Sequence, residues 1–333
     1  MEERLTAAGG ELLAVVRAGV ATVTLNRPAA LNALTLGMID GLQAWLDAWR
    51  GDERVSTIVL RGAGPKAFCA GGDVRGLYEG VRAASTMPKA FFTREYALDF
   101  HVHRYPKPIV AWMDGIVMGG GMGISQGARL RIVGERTRMA MPETAIGLFP
   151  DVGGSYFLSR VPGAIGTYLG LVGPTIGSAD AVFCGLADLD ASPVPKEPEL
   201  AALRPAIDAH FSRGSIAGIL EALDGEHRPE YAEWARRSAD ALRRRSPTLL
   251  QVTLSQLARA RSMGLADCFR MELGMIHACM EHGDLLEGIR AMIIDKDGQP
   301  RWDPPTLDAV DPTRVNAFFA PRWDNAAHPL AHL

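Results

Sequence analysis

The chain has 333 residues, with 35 Lys and Arg against 38 Asp and Glu and a formal net charge of −3. That length can bury a large core without help from a metal or disulfide, and at about 150 residues per domain it allows roughly two domains. The near-balanced charge gives no reason to expect nucleic acid or an acidic lipid surface as a partner.

The first third alternates strand and helix signals. Glu11 to Ala18 and Ala21 to Asn26 are β-branched, apolar-rich runs on either side of Gly19, a hairpin pattern. Thr35 opens a helical repeat with Met38, Leu42, Trp45, Leu46 and Trp49 on one face, ended by Gly51. Val55 to Leu60 reads as a buried strand, and Ile109 to Met113 and Leu130 to Val133 as further strands. Helices are expected over 74–83 and 88–103, the second stopping ahead of Pro106 and Pro108. The proline-rich stretch Ser192 to Pro198 is the candidate linker. Beyond it the periodicity is helical, at Tyr231 to Leu242, Leu250 to Ala260 and Asp267 to Met280. The chain therefore divides into an α/β part, 1–192, and a mainly helical part, 193–333. The basic run Arg243-Arg244-Arg245 reads as a solvated face, with recognition of a phosphorylated ligand as the alternative.

Cys69, Cys184, Cys268 and Cys279 are far apart and form no Cys-x-x-Cys pair, which reads as free thiols in a reducing compartment. His101 and His103, two apart, diverge on a helix, and no metal site is expected. Met1-Glu2-Glu3-Arg4 lacks a basic-then-apolar signal, and the longest apolar stretch, Ile109 to Met118, is interrupted by Asp114 and too short to span a bilayer. A cytoplasmic protein without a membrane partner is expected.

One count departs from the average. Glycine accounts for 36 residues, about 11% against a usual ~7%. Gly62-Ala63-Gly64-Pro65-Lys66-Ala67 fits a dinucleotide-binding pattern, but Pro65 leads into another loop where a helix is required, so a turn between strands is the better reading. Gly123-Ile124-Ser125-Gln126-Gly127 matches a nucleophile elbow, but no strand directly precedes it, and Ser125 reads as a helix-packing residue. Gly115 to Gly123 and Ala70-Gly71-Gly72-Asp73 are more informative. Each opens a helix and leaves amide N–H groups uncovered, and two such loops can put one N–H each on a single carbonyl oxygen. Asp73 suits the cap of the helix that follows. In Met141 to Gly154, Glu143 and Asp151 lie among Met, Ile, Leu and Phe, an environment that favours the neutral carboxyl and divides acid from base duty. A loop with two capping acids is the simpler alternative.

Leu25-Asn26-Arg27-Pro28, Asn32-Ala33-Leu34, Lys66 to Asp73, the Gly119–Gly121 triplet and Pro142-Glu143 together resemble the crotonase (enoyl-CoA hydratase/isomerase) superfamily. Ala140 to Gly154, Ser246-Pro247-Thr248 and Glu287 to Asp297 resemble its 3-hydroxyisobutyryl-CoA hydrolase branch. The resemblance runs from about residue 11 to about 310 and is loosest near 193–245. It implies a spiral of ββα turns with a helical C-terminal region, acting on an acyl-CoA thioester whose oxygen sits on the N–H groups of Gly72 and Gly120. It implies Glu143 and Asp151 as catalytic carboxylates and Glu95 as a substrate-contacting acid; from its own surroundings Glu95 reads as a helix-surface residue. No cofactor is implied, since CoA is part of the substrate, and self-association through the C-terminal helices is plausible. A hydratase carries a first catalytic Glu just after the glycine triplet, where this chain has Gly123. The resemblance therefore implies hydrolysis of a short β-hydroxyacyl-CoA, 3-hydroxyisobutyryl-CoA of valine breakdown. The alternatives are a hydratase or isomerase using Glu143 alone, or a catalytically silent acyl-CoA-binding protein.

Overall fold

Strand pairs separated by helices build two sheets at once. In the computed structural model, which describes residues 2–194 and 196–333, β1 (Glu2–Ala7), β2 (Leu12–Arg17) and β3 (Val20–Leu25) form an antiparallel meander. Ala18 and Gly19 both adopt positive φ, the two-residue turn that matches the twist of a hairpin. Thr35 Oγ1 accepts a hydrogen bond from Met38 N–H at 3.2 Å and starts α1 (Leu36–Trp49). Met38, Ile39, Leu42, Leu46 and Trp49 bury one face of that helix, each contributing about 1.5–3 kcal/mol of apolar burial.

Three turns of a spiral follow. The first comprises β4 (Thr57–Gly62), β5 (Ala67–Cys69), α2 (Val74–Arg82) and α3 (Met87–His103). The second is β6 (Ile109–Met113), β7 (Ile116–Met118) and α4 (Gly120–Gln126). The third is β8 (Leu130–Val133) and β9 (Arg138–Ala140), then α5 (Gly154–Leu158), α6 (Ile165–Val172), α7 (Ser178–Phe183) and β10 (Leu189–Asp190). The first strand of each turn extends the large sheet in parallel, in the order β1-β2-β3-β4-β6-β8-β10. The second strand of each turn enters a separate parallel sheet, β5-β7-β9. This is the ββα spiral that the resemblance implied.

Helices occupy most of the remainder: α8 (Glu199–Phe211), α9 (Ile216–Asp224), α10 (Pro229–Arg243), α11 (Pro247–Ala260), α12 (Leu265–His282), α13 (Asp284–Ile289) and α14 (Pro312–Ala317). No helix among the described residues is long and apolar enough to cross a membrane. All four cysteines are free and buried. The expected linker joins β10 to α8, and its Pro195 lies outside the described residues.

Two expectations need adjustment. The segments around Phe68 and Val117 are short strands of the second sheet, not loops, because each finds a parallel partner. The basic run is not uniformly solvated: Arg243 pairs with Asp224, whereas Arg245 is half-buried and donates to Val172 O at 2.8 Å.

Candidate active site

The first glycine loop is anchored by the N-terminal motif. Asn32 is fully buried, and its amide donates to Ala63 O at 2.9 Å and Ala67 O at 2.8 Å. Arg27 bridges to Asp73 at 3.0 Å and to Glu11 at 2.9 Å. Asp73 in turn accepts from Gly76 N–H at 3.2 Å and caps α2, as its position suggested. Leu34 N–H donates to Gly71 O at 2.8 Å while Leu34 O accepts from Asp73 N–H at 2.9 Å. The backbone on both sides of Gly72 is thereby held, and the Gly72 N–H itself has no backbone acceptor among the described residues.

The second loop lies directly against the first. Gly71 at φ +107° and Gly119 at φ +48° occupy conformations that side chains resist, and a Cβ on Gly71 would lie 3.6 Å from Gly120 N. A Cβ on Gly120 would lie 3.4 Å from Gly72 N, so the two amides border one small space. Gly120 is the first residue of α4, where the N–H has no partner within the helix. The nucleophile-elbow reading fails as expected: Ser125 is buried inside α4 and donates to Gly121 O at 2.7 Å.

Gly72, Glu95, Gly120, Glu143 and Asp151 all line one cavity of about 300 Å³, closed on its apolar side by α2 and α13. Every site residue expected from the sequence is thus brought together. Glu95 is buried, not on a helix surface: α3 packs against α1, α4 and α12. Its Oε1 lies 2.3 Å from where a Cβ on Gly120 would be, so the glycine makes room for the acid. Glu143 starts the 3₁₀ turn Glu143–Ile146, and its Oε2 is buried without a hydrogen-bond partner. Asp151 accepts from the Tyr96 hydroxyl at 2.7 Å. Burial pushes Asp151 up to about 6. Burial, then the charge of Asp151, raises both Glu143 and Glu95 well above the usual carboxylate range.

Sequence reasoning missed three supports. Besides Tyr96, they are Glu272 on α12 and Gln256 on α11. Glu272 accepts from Gly153 N–H at 2.8 Å, Ser155 N–H at 2.9 Å and Ser155 Oγ at 2.5 Å. Gln256 Nε2 donates to Pro150 O at 2.7 Å and to Ser155 Oγ at 2.8 Å. The helical region therefore grips the Asp151 loop from both flanks. Replacing Glu272 by Ala is expected to leave buried donors unpaired, at about 1–3 kcal/mol in lost stability. It should also lower kcat by displacing Asp151. Thermal unfolding and turnover, both unchanged, would show that the grip is not needed.

The profile of the enoyl-CoA hydratase/isomerase family matches residues 20–193 and 189–319. The chain is 38% identical to a protein of Gallus gallus named 3-hydroxyisobutyryl-CoA hydrolase, mitochondrial, over 96% of this chain and 91% of that one. It is 39% identical to the protein of that name from Danio rerio, over 94% and 90%. Two solved structures superpose with a TM-score of 0.89 at 38% identity. One is a carnitinyl-CoA dehydratase from Mycobacterium thermoresistibile (93% of this chain, 96% of that one), the other an enoyl-CoA hydratase from Rhodobacter sphaeroides (94% and 98%). These relatives correct the expected cytoplasmic location, because the vertebrate proteins are named as mitochondrial. Free buried thiols report a reducing environment without identifying the compartment. The shared spiral, the paired glycine loops and the match along most of the sequence lead to one conclusion: the chain belongs to the enoyl-CoA hydratase/isomerase family.

Proposed function

We propose that the protein hydrolyses 3-hydroxyisobutyryl-CoA to 3-hydroxyisobutyrate and CoA, a step of valine catabolism. The thioester oxygen sits between the Gly72 and Gly120 amides and is stabilised there as it gains negative charge. Glu143 either attacks the thioester carbonyl itself, forming a mixed anhydride that water opens, or takes a proton from a water whose oxygen attacks. Asp151 holds the β-hydroxyl and helps deliver a proton to the leaving thiolate, and Glu95 contacts the substrate from the Gly120 side. No cofactor enters beyond the CoA that the substrate brings.

The observation that carries this reading is that α4 carries no acid. Glu143 and Asp151 line the cavity, while α4 has no room for the carboxylate that a hydratase uses there. A Cβ on Gly123 would come within 2.5 Å of Asp99 Oδ2 and 2.7 Å of Val152 Cβ. The name 3-hydroxyisobutyryl-CoA hydrolase on relatives matched over most of the chain supports the same reading. A second reading, hydration of an enoyl-CoA by Glu143 alone, is favoured by the names of the two solved structures. A panel of acyl-CoA esters differing in chain length and β-hydroxylation separates the preferences. The highest kcat/KM for thiol release is expected with 3-hydroxyisobutyryl-CoA, and equal rates on the ester lacking the hydroxyl would remove the role given to Asp151.

A further inference from the structure

The basic run, which the chemistry at Glu143 does not use, opens onto a cleft of its own. Arg243, Arg244 and Arg245, at the junction of α10 and α11, line a space of about 650 Å³ together with Arg301 and Trp302. Pro300 and Pro305 add apolar surface, and no acidic residue lines it. Ala145 and Met292 line both this cleft and the catalytic cavity. Met292 is 43% exposed, so the boundary between the two spaces is a surface lip and not a buried partition.

The cleft is held in shape by hydrogen bonds to α13, the helix that helps close the catalytic cavity. Asp284, the first residue of α13, accepts from Ser246 Oγ at 2.5 Å and from Asp303 N–H at 3.0 Å. Those two residues directly follow Arg245 and Trp302, so both rims are fastened to one carboxylate. Trp302 Nε1 donates to Arg244 O at 3.0 Å and joins the rims to each other. Arg290 pairs with Glu287, Asp295 and Asp297 at distances between 2.6 and 2.8 Å and folds the segment that leads to Arg301. The segments Ser246-Pro247-Thr248 and Glu287 to Asp297 thereby build the frame of this cleft.

Its charge is one-sided. Arg243 is paired with Asp224 at 2.6 Å, and the acids that act on Arg301, Glu287 and Asp297, are already taken by Arg290. Arg244, Arg245 and Arg301 have no carboxylate within ion-pair distance among the described residues. Arg245 is half-buried, and its Nε is buried without a partner. Burial, then the adjacent Arg244 charge, pushes Arg245 down to about 10, so it stays charged at neutral pH at a cost that a bound anion would offset.

Guanidinium groups match phosphate oxygens in pairs, and an indole stacks on a nucleobase. We propose that this cleft is a nucleotide site, with phosphates on the unpaired arginines and the base against Trp302. Two sources carry that chemistry: the nucleotide end of the substrate's own CoA, crossing the Met292 lip, or a free nucleotide bound beside the cavity. The first rests on the thioester-hydrolase reading; the second does not.

Adenosine 3′,5′-bisphosphate, which has the base and phosphates without the pantetheine arm, is the probe. It is titrated calorimetrically against the wild type, Arg244→Gln/Arg301→Gln, and the charge-matched control Arg17→Gln/Arg261→Gln, whose sites are exposed and outside the cleft. Wild type and control should bind it equally, and the cleft variant should bind it about tenfold or more weakly, through loss of charge-assisted hydrogen bonds. Kinetics then identify the source. If the site takes the substrate's nucleotide, the cleft variant raises KM for 3-hydroxyisobutyryl-CoA by the same factor and leaves KM for the matching pantetheine thioester where it was. If it takes a free nucleotide, the bisphosphate binds without raising KM for either ester. No binding to the wild type, or equal affinity in the wild type and the cleft variant, would overturn the proposal. A wild type that releases thiol from neither ester would defeat the hydrolase reading and leave the titration intact.

Discussion

Replacing Glu143 by Ala is expected to cut thiol release from 3-hydroxyisobutyryl-CoA by about 10²–10⁴, the range for a positioned acid–base group, while acyl-CoA binding stays close to wild type. The Oε2 atom of this residue is buried without a partner, so its removal breaks no hydrogen bond made by that oxygen. Burial and the charge of Asp151 raise its proton affinity, so the carboxylate is held at a cost to stability. The variant should therefore unfold at or above the wild-type temperature, because function and stability oppose each other at this position. Calorimetric titration with the acyl-CoA, read beside turnover, separates the two effects. Equal loss of binding and turnover would mean that Glu143 anchors the ligand, and unchanged turnover would remove it from the chemistry.

Gly120→Ala is the second large effect. Its Cβ would meet Glu95 Oε1 at 2.3 Å, Leu34 Cδ1 at 3.2 Å and Gly72 N at 3.4 Å, which fills the space between the two amides. Loss of one oxyanion donor costs about 10²–10³ in kcat, and here the added methyl also displaces Glu95. Backbone conformation is not the obstacle, since Gly120 is helical and alanine is the better helix former. Gly274→Ala on α12 serves as the control: a Cβ there meets nothing within 4 Å, and it should leave kcat unchanged. A Gly120→Ala enzyme with wild-type kcat would show that the oxygen is held elsewhere.

Legibility in the sequence followed the range of the physics involved. α1 could be read because one face repeats at helical spacing and Thr35 caps it. β6 and β8 were bounded correctly at Ile109–Met113 and Leu130–Val133. The strands of the second sheet were not, because three residues such as Ala67–Cys69 carry no alternation and become a strand by pairing with β7. β1 is polar and mostly exposed at the sheet edge, so burial leaves no trace in its sequence. α6 is buried on every side and offers no polar face to mark it as a helix.

The same distinction holds in the site. Gly72, Gly120, Glu143 and Asp151 stood out through glycine density and through acids set among apolar residues. Glu95 came from resemblance alone, although a local signal existed. Glu95 and Asp99 interrupt a helix whose neighbouring positions, Phe91, Phe92, Leu98 and Val102, are buried hydrophobics. Glu272 and Gln256 carried no such signal, because each reaches its partners across more than a hundred residues of chain.

The central claim is that the paired glycine loops and Glu143 open a thioester and do not hydrate a double bond. Thiol release and enoyl absorbance can be followed together on one enzyme sample, with 3-hydroxyisobutyryl-CoA and crotonyl-CoA as substrates. The predicted result is rapid thiol release from the first, with slow or no loss of enoyl absorbance from the second. Loss of enoyl absorbance from crotonyl-CoA faster than any thiol release would contradict it and restore the hydratase reading.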